Sequence, residues 1–211
     1  MASKRLPGKS LKKLGKITIL EHVLKRVKAS KQVKRIFVAT SKMKKDEAIY
    51  ILCKKKKINC YRGSLNNVLS RYVEIVKRYK IKSFTRICAD SPFIDPNLIS
   101  KFISIYKKSN YDLVTNVYPR SFPKGQSIEI FKSSFFLKYA KKIKKRYDME
   151  HVTTFFYNRK ELNIKNIKNN FDYSKISLCI DNLKDFNRAR KFVNTFNYKK
   201  SDSWKKIVNN Y

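Results

Sequence analysis

Arg5-Leu6-Pro7-Gly8-Lys9 places two cations four residues apart around a Pro-Gly turn. Pro and Gly let the backbone reverse tightly, so such a loop can present Arg5 and Lys9 to successive phosphates. Far downstream, Ala89-Asp90-Ser91-Pro92-Phe93-Ile94-Asp95-Pro96 follows an apolar segment. The Asp90 carboxylate is expected to project from the C-terminal end of a buried strand, where α/β proteins gather their ligands. Asp181 ends a second apolar run, Ile176-Ser177-Leu178-Cys179-Ile180, in the same manner. The chain has only 15 Asp and Glu. Two acids at two strand ends therefore suit a divalent metal, since magnesium needs only one or two protein carboxylates when phosphate oxygens supply the rest. Each acid also has a simpler reading as a cap, Asp90 before Ser-Pro and Asp181 before Asn182-Leu183. Asp95, directly before Pro96, fits the capping role best.

The elements that must position these residues alternate. Ile17, Leu20, Leu24 and Val27 recur at helical spacing over 16–28, and Arg35 to Thr40 is nearly continuous in apolar character, as in a strand covered on both sides. A helix over 46–56, an extended piece at 59–61, a helix over 65–80 and a strand over 83–88 follow. This alternation predicts a parallel sheet with helices on both faces. A helix opens at Asp95-Pro96, and 111–117 returns as a strand. The 119–125 stretch is a turn-rich loop, 127–131 alternates like a strand with one wet face, and helices are expected over 133–145 and 148–157. The last strand spans 176–180 and the closing helix 183–196, while the tail 201–211 docks as a short helix or frays.

At 211 residues with 42% apolar composition, the chain can bury a core as one domain over 1–211. No run is long enough for a membrane span and no apolar leader is evident, so a cytoplasmic protein is expected. Cys53, Cys60, Cys88 and Cys179 form no CxxC pair and read as buried free thiols. The formal charge of +36 would attract polyanions. The lysines sit mostly on polar faces of amphipathic segments, however, and Lys, Asn, Ile, Tyr and Phe are the set that AT-rich codons supply. A solvated surface is therefore preferred to a specific nucleic-acid or membrane partner.

Ser3-Lys4-Arg5-Leu6-Pro7-Gly8-Lys9, with Leu14-Gly15-Lys16 and Leu20-Glu21-His22-Val23, resembles the opening of cytidylyltransferases that make CMP-activated acidic sugars. The spore-coat-polysaccharide branch, homologous to CMP-ketodeoxyoctonate and acylneuraminate synthetases, is the nearest likeness. It continues in order through Val38-Ala39-Thr40-Ser41, Tyr61-Arg62-Gly63-Ser64, Val68-Leu69-Ser70-Arg71-Tyr72, Arg86 to Pro96, Glu150-His151-Val152-Thr153 and Ile180-Asp181-Asn182 with Asp185. The resemblance implies a Rossmann-like, GT-A-like three-layer α/β sandwich of the nucleotide-diphospho-sugar transferase type. It implies that a sugar hydroxyl attacks the α-phosphate of CTP and pyrophosphate leaves, catalysed by alignment and charge neutralisation. By the same resemblance, Asp90 and Asp181 would bind Mg2+, while Arg5 and Lys9 would hold the triphosphate, with Ser3 and Gly8 beside it. Gly63 and Ser64 would border the nucleotide, Glu129 and His151, the latter at the opening of a helix, would face the sugar, and about 119–160 would form a sugar-side and dimerisation subregion of an expected homodimer.

Three departures from the family pattern stand out. No strand precedes Ser3, so a gap is expected at the sheet's centre, and a start upstream of Met1 is the economical explanation. Ser127 stands where an Asp is frequent, and Asn66-Asn67 replaces acids. A non-catalytic homologue acting as a binding or scaffold protein, or an RNA-binding protein on charge alone, are the alternatives.

Overall fold

The computed structural model describes residues 5–157, 159, 161–196 and 198–211. Gly8 takes a left-handed φ of 68° and caps a 3-10 turn over Lys9–Leu11. Two short strands, β1 (Lys13–Leu14) and β2 (Ile17–Thr18), then pair antiparallel about Gly15. Helix α1 (Ile19–Ala29) therefore begins three residues later than the apolar spacing predicts. Its start is set by a capping box, in which the Thr18 hydroxyl accepts from Glu21 N–H and the Glu21 carboxylate accepts from Thr18 N–H.

Strand β3 (Phe37–Ser41) lies parallel to β4 (Asn59–Gly63), with α2 (Glu47–Lys55) as the crossover between them. Helix α3 (Val68–Arg78) is capped by Asn67 Oδ1, which accepts from Ser70 N–H at 2.9 Å. Strand β5 (Ser83–Arg86) leads to helix α4 (Pro96–Lys107). Asp95 caps α4 as expected, its Oδ1 accepting from Asn97 N–H at 2.8 Å and Leu98 N–H at 3.3 Å. Strands β6 (Leu113–Thr115) and β7 (Glu129–Lys132) follow, then helices α5 (Ser133–Ala140), α6 (Arg146–His151) and α7 (Thr154–Tyr157). The single helix expected over 148–157 is broken at Val152, whose φ of 66° no α-helix accommodates. Strand β8 (Ile164–Asn166), helix α8 (Leu183–Thr195) and helix α9 (Trp204–Val208) complete the chain.

The sheets are mixed rather than parallel. Beside the parallel pair β3–β4 stands a four-stranded sheet in the order β5-β7-β6-β8, in which β7 runs antiparallel to both neighbours and β8 parallel to β6. The chain passes from β6 to β7 by a loop instead of a crossover helix, and this reverses the strand direction. Two further expectations change. Residues 176–180 form no strand of their own; their one bridge joins Ser177 to Lys124. The polar segment 164–166, unremarkable in sequence, pairs along the edge of β6.

The core beneath the candidate site gathers Leu6, Leu14, Phe93, Leu178, Ile180, Phe186 and Phe192. It unites the N-terminal loop, the segment after β5, the 178–180 run and α8. The tail docks through Trp204, which is 5% exposed and whose N–H donates to Asp95 Oδ2 at 2.9 Å.

Candidate active site

Leu6, 4% exposed, pins the N-terminal loop into this core, and the left-handed turn at Gly8 directs Lys9 across the ends of two chain segments. The Lys9 ammonium donates to Asp90 Oδ2 at 2.8 Å, to Asp181 Oδ1 at 3.2 Å and to the Ile180 carbonyl at 3.1 Å. The two acidic segments are themselves joined, since Ile180 N–H donates to the Asp90 carbonyl at 3.0 Å. Arg5 approaches the same acid more loosely, with Nη2 3.7 Å from Asp181 Oδ1 and its side chain 71% exposed. Ser3 lies outside the described residues.

Neither acid is consumed as a helix cap. The cap of α8 is Asn182, reciprocated by Asp185, whose carboxylate also accepts from Asp181 N–H at 2.9 Å. The Asp181 carboxylate is thereby left to the cations. Asp90 Oδ1 accepts from the Ser91 hydroxyl at 3.3 Å, and its Oδ2 faces Lys9.

The charge balance here is simple. Burial works against the charged form of Lys9, yet Asp90 and Asp181 outweigh it and hold its pKa above the ordinary 10.5. Burial, reinforced by Asp90, pushes the neighbouring Cys179 thiol up to about 12, so it stays neutral. Burial raises the Cys88 thiol as well. Two carboxylates facing one ammonium thus define the cluster. Both acids lie within reach of a single cation, and hard oxygen donors are what magnesium prefers. Among the described residues no group of three or more His, Cys, Asp or Glu side chains gathers for a metal. Asp90 and Asp181 therefore suit a cation whose other ligands come from phosphate and water.

The loop after β4 is rigidly built. A Cβ on Gly63 would meet Tyr61 Cε1 at 2.9 Å and Arg71 Cγ at 3.0 Å, so only glycine fits there without displacement. Arg71 of α3 donates from Nε to the Ser64 carbonyl at 2.6 Å and from Nη2 to the Leu65 carbonyl at 2.8 Å. The Ser64 hydroxyl accepts from Asn67 N–H at 3.1 Å. Among the described residues no hydrogen bond joins this loop to Lys9, Asp90 or Asp181.

Glu129 opens β7 directly opposite Arg86 of β5. Its carboxylate is 1% exposed and is held by the Arg86 guanidinium and the Tyr157 hydroxyl. Burial opposes the charge on Arg86, but the Glu129 carboxylate paired with it helps to hold its pKa well above the ordinary 12.5. Arg86 and Tyr157 thus occupy the carboxylate among these residues. His151 closes α6 instead of opening a helix; it is exposed and its ring packs against Tyr147 at 4.2 Å between centroids. His22 is structural: its Nε2 lies 2.9 Å from the Leu14 carbonyl, and its Nδ1 meets the Tyr198 hydroxyl.

Sequence reasoning assigned no role to Arg71, Arg86 or Tyr157. Arg86 carried a legible sign, a lone cation in the otherwise apolar Phe84–Cys88 run, which argues for a buried partner. Arg71 reaches back to the Ser64 and Leu65 carbonyls and Tyr157 reaches Glu129 in a distant segment, contacts that apolar spacing does not announce.

A family model described as cytidylyltransferase matches residues 1–207. An uncharacterized protein of Methanocaldococcus jannaschii, MJ1063, is 37% identical over 187 residues, which span 87% of this chain and 76% of that one. The spore coat polysaccharide biosynthesis protein SpsF of Bacillus subtilis is 29% identical over 170 residues, 77% of this chain and 68% of its own length. A cytidylyltransferase structure from Leptospira borgpetersenii superposes with a TM-score of 0.92 at 29% identity, covering 99% of this chain and 89% of that one.

Proposed function

The chain belongs to the cytidylyltransferase family, and we propose from that premise that it moves CMP from CTP to a sugar destined for a surface polysaccharide or glycan. The sugar class draws support from the family resemblance and from the spore-coat polysaccharide relative. The observation that carries the reading is the sharing of the Lys9 ammonium between Asp90 and Asp181. It marks a place where two carboxylates already hold positive charge at the ends of two chain segments, beside a turn suited to phosphate.

A divalent cation held by Asp90 and Asp181 would supply charge neutralisation for the phosphate oxygens. Lys9 and Arg5 bind the triphosphate and orient its α-phosphate, while Gly8 allows the backbone to turn beneath it. Gly63 and Ser64, held by Arg71, border the nucleotide. A hydroxyl oxygen of the sugar forms a bond to the α-phosphorus as the bond to the bridging oxygen breaks; the hydroxyl proton passes to solvent water and pyrophosphate departs with the bridging oxygen. Glu129 stands on the sugar side, oriented by Arg86 and Tyr157. The work of the protein is alignment and electrostatics.

Pyrophosphate release from CTP and magnesium, measured with a panel of acid and amino sugars, tests this reading. Turnover by the native chain should fall about 100-fold or more in Asp90→Asn and in Asp181→Asn, the scale set by loss of a charge-stabilising group. Pyrophosphate release that survives both changes would overturn the assignment. CTP binding without release on any sugar would favour a non-catalytic member of the family.

A further inference from the structure

The paired strands β5 and β7 set Arg86 opposite Glu129 at one end and Ser83 opposite Lys132 at the other. Beyond the second end, away from Glu129, a groove of about 500 Å³ opens between α3, the turn before β5 and the start of α5. Its rim carries Lys77, Lys80, Lys82 and Lys132, all exposed, and no Asp or Glu lines it. None of the four lysines makes an ion pair among the described residues. Lys77 lies in the last turn of α3 and suits the negative end of that helix, but Lys82 and Lys132 lie outside it and have no such account.

Helix α5 begins at this groove, and its start is built against its own dipole. The N-cap is Lys132, a cation at the positive end, with no side-chain cap and no acid in the first turn. Ser133, the first residue of the helix, lines the groove and is 4% exposed; its hydroxyl oxygen is buried without a hydrogen-bond partner. Its N–H donates to the Lys82 carbonyl at 2.9 Å, which fixes it against the lysine turn. An unpaired buried hydroxyl costs free energy, and an acceptor in the groove would remove that cost. Ammonium groups, a helix start and a hydroxyl together offer donors and positive charge. A phosphate group answers them with several acceptor oxygens and the opposite charge, whereas a carboxylate brings only two oxygens. Val76, Ile81 and Leu137 add apolar lining, which suits the carbon body of a phosphate ester.

We propose that this groove is a second anion site, separate from the Lys9 cluster, and that it binds the phosphate group of a small phosphate monoester. The Ser133 hydroxyl and the first turn of α5 hold the phosphate oxygens, and the lysines supply the counter-charge. The site stands independently of the transferase reading.

The full chain is titrated at constant ionic strength, without CTP or metal, with inorganic phosphate and with phenyl phosphate, and its backbone amides are followed by NMR. Saturable shifts should centre on Ser134 and Phe135, with phenyl phosphate the tighter of the two. Ser133→Ala should weaken both ligands about 10-fold, the scale for a hydrogen bond to a charged group. Its thermal midpoint should not fall, because the hydroxyl has no partner to lose. A variant combining Lys80→Gln, Lys82→Gln and Lys132→Gln should weaken them at least as much, and it carries the test if Ser133→Ala does not fold. Unchanged affinity in Ser133→Ala would overturn the proposal. So would inorganic phosphate binding as tightly as the ester, or shifts that spread over the lysine-rich surface without saturating, as a non-specific basic field produces. Failure of the transferase reading would appear elsewhere, as absence of cation-dependent CTP binding in the native chain.

Discussion

The Lys9 ammonium lies 2.8 Å from Asp90 Oδ2 and 3.2 Å from Asp181 Oδ1, so one side chain of the N-terminal loop ties together two acids from distant parts of the sequence. The bridge is pH-dependent in a defined direction. The pKa of Lys9 is raised in the folded state, so its stabilising contribution is complete below the ordinary 10.5 and disappears only as pH climbs through the higher folded value. The difference in thermal midpoint between the native chain and Lys9→Met should therefore be constant from neutral pH to about 10 and shrink above it. A difference that shrinks between pH 6 and 8 would contradict this bridge.

Arg71 has its guanidinium committed to the carbonyls of Ser64 and Leu65, and so fixes the loop proposed to border the nucleotide. Arg71→Met should leave those carbonyls unpaired, loosen the loop and weaken CTP about 10-fold. Sugar affinity measured alone should not move. Unchanged CTP affinity in a folded variant would remove this loop from the nucleotide site.

Arg26 is 1% exposed and donates to three carbonyls, those of Ile94 at 2.6 Å, Lys199 at 3.2 Å and Asp202 at 2.6 Å. It joins α1 to the segment before α4 and to the C-terminal tail. Arg26→Met should cost about 2–4 kcal/mol in urea unfolding, because buried acceptors are left without donors. A cost below about 1 kcal/mol, as for a surface substitution, would mean the tail holds by its apolar contacts alone.

His22 titrates in the opposite sense to Lys9. Burial holds its pKa below the ordinary 6.5, against the pull of the Leu14 carbonyl, so the unfolded chain binds the proton more readily. The stability it confers is present above pH 6.5 and is lost as pH falls towards the lower folded value. Unfolding free energy measured from pH 7.5 to 5 should decline in the native chain and decline less in His22→Gln.

Much of the scaffold was legible because local chemistry dictates it. Thr18 and Glu21 form a capping box readable in sequence, although the apolar spacing drew attention to an earlier helix start. Asp95 caps α4 as its place before Pro96 requires. Asp90 and Asp181 were legible as acids after apolar runs, and the structure brings both to one ammonium. What local pattern could not supply is pairing at long range. The antiparallel insertion of β7 between β5 and β6 sets Glu129 opposite Arg86, and no spacing within either segment encodes that register. The edge strand 164–166 has only three residues, one of them Lys, and takes its conformation from β6. Tyr157 meets Glu129 from a helix that follows the break at Val152, a residue type that rarely accepts positive φ.

The most direct test of the central claim is a manganese titration, followed by electron paramagnetic resonance, of the native chain and Lys9→Met with and without CTP. If Asp90 and Asp181 exchange the Lys9 ammonium for a metal-bound triphosphate, the variant should bind manganese alone about 10-fold more tightly, because two carboxylates lose their internal cation. The same variant should bind CTP more weakly than the native chain in the presence of the metal. Equal manganese affinity in the two proteins, with CTP binding intact in the variant, would contradict the account.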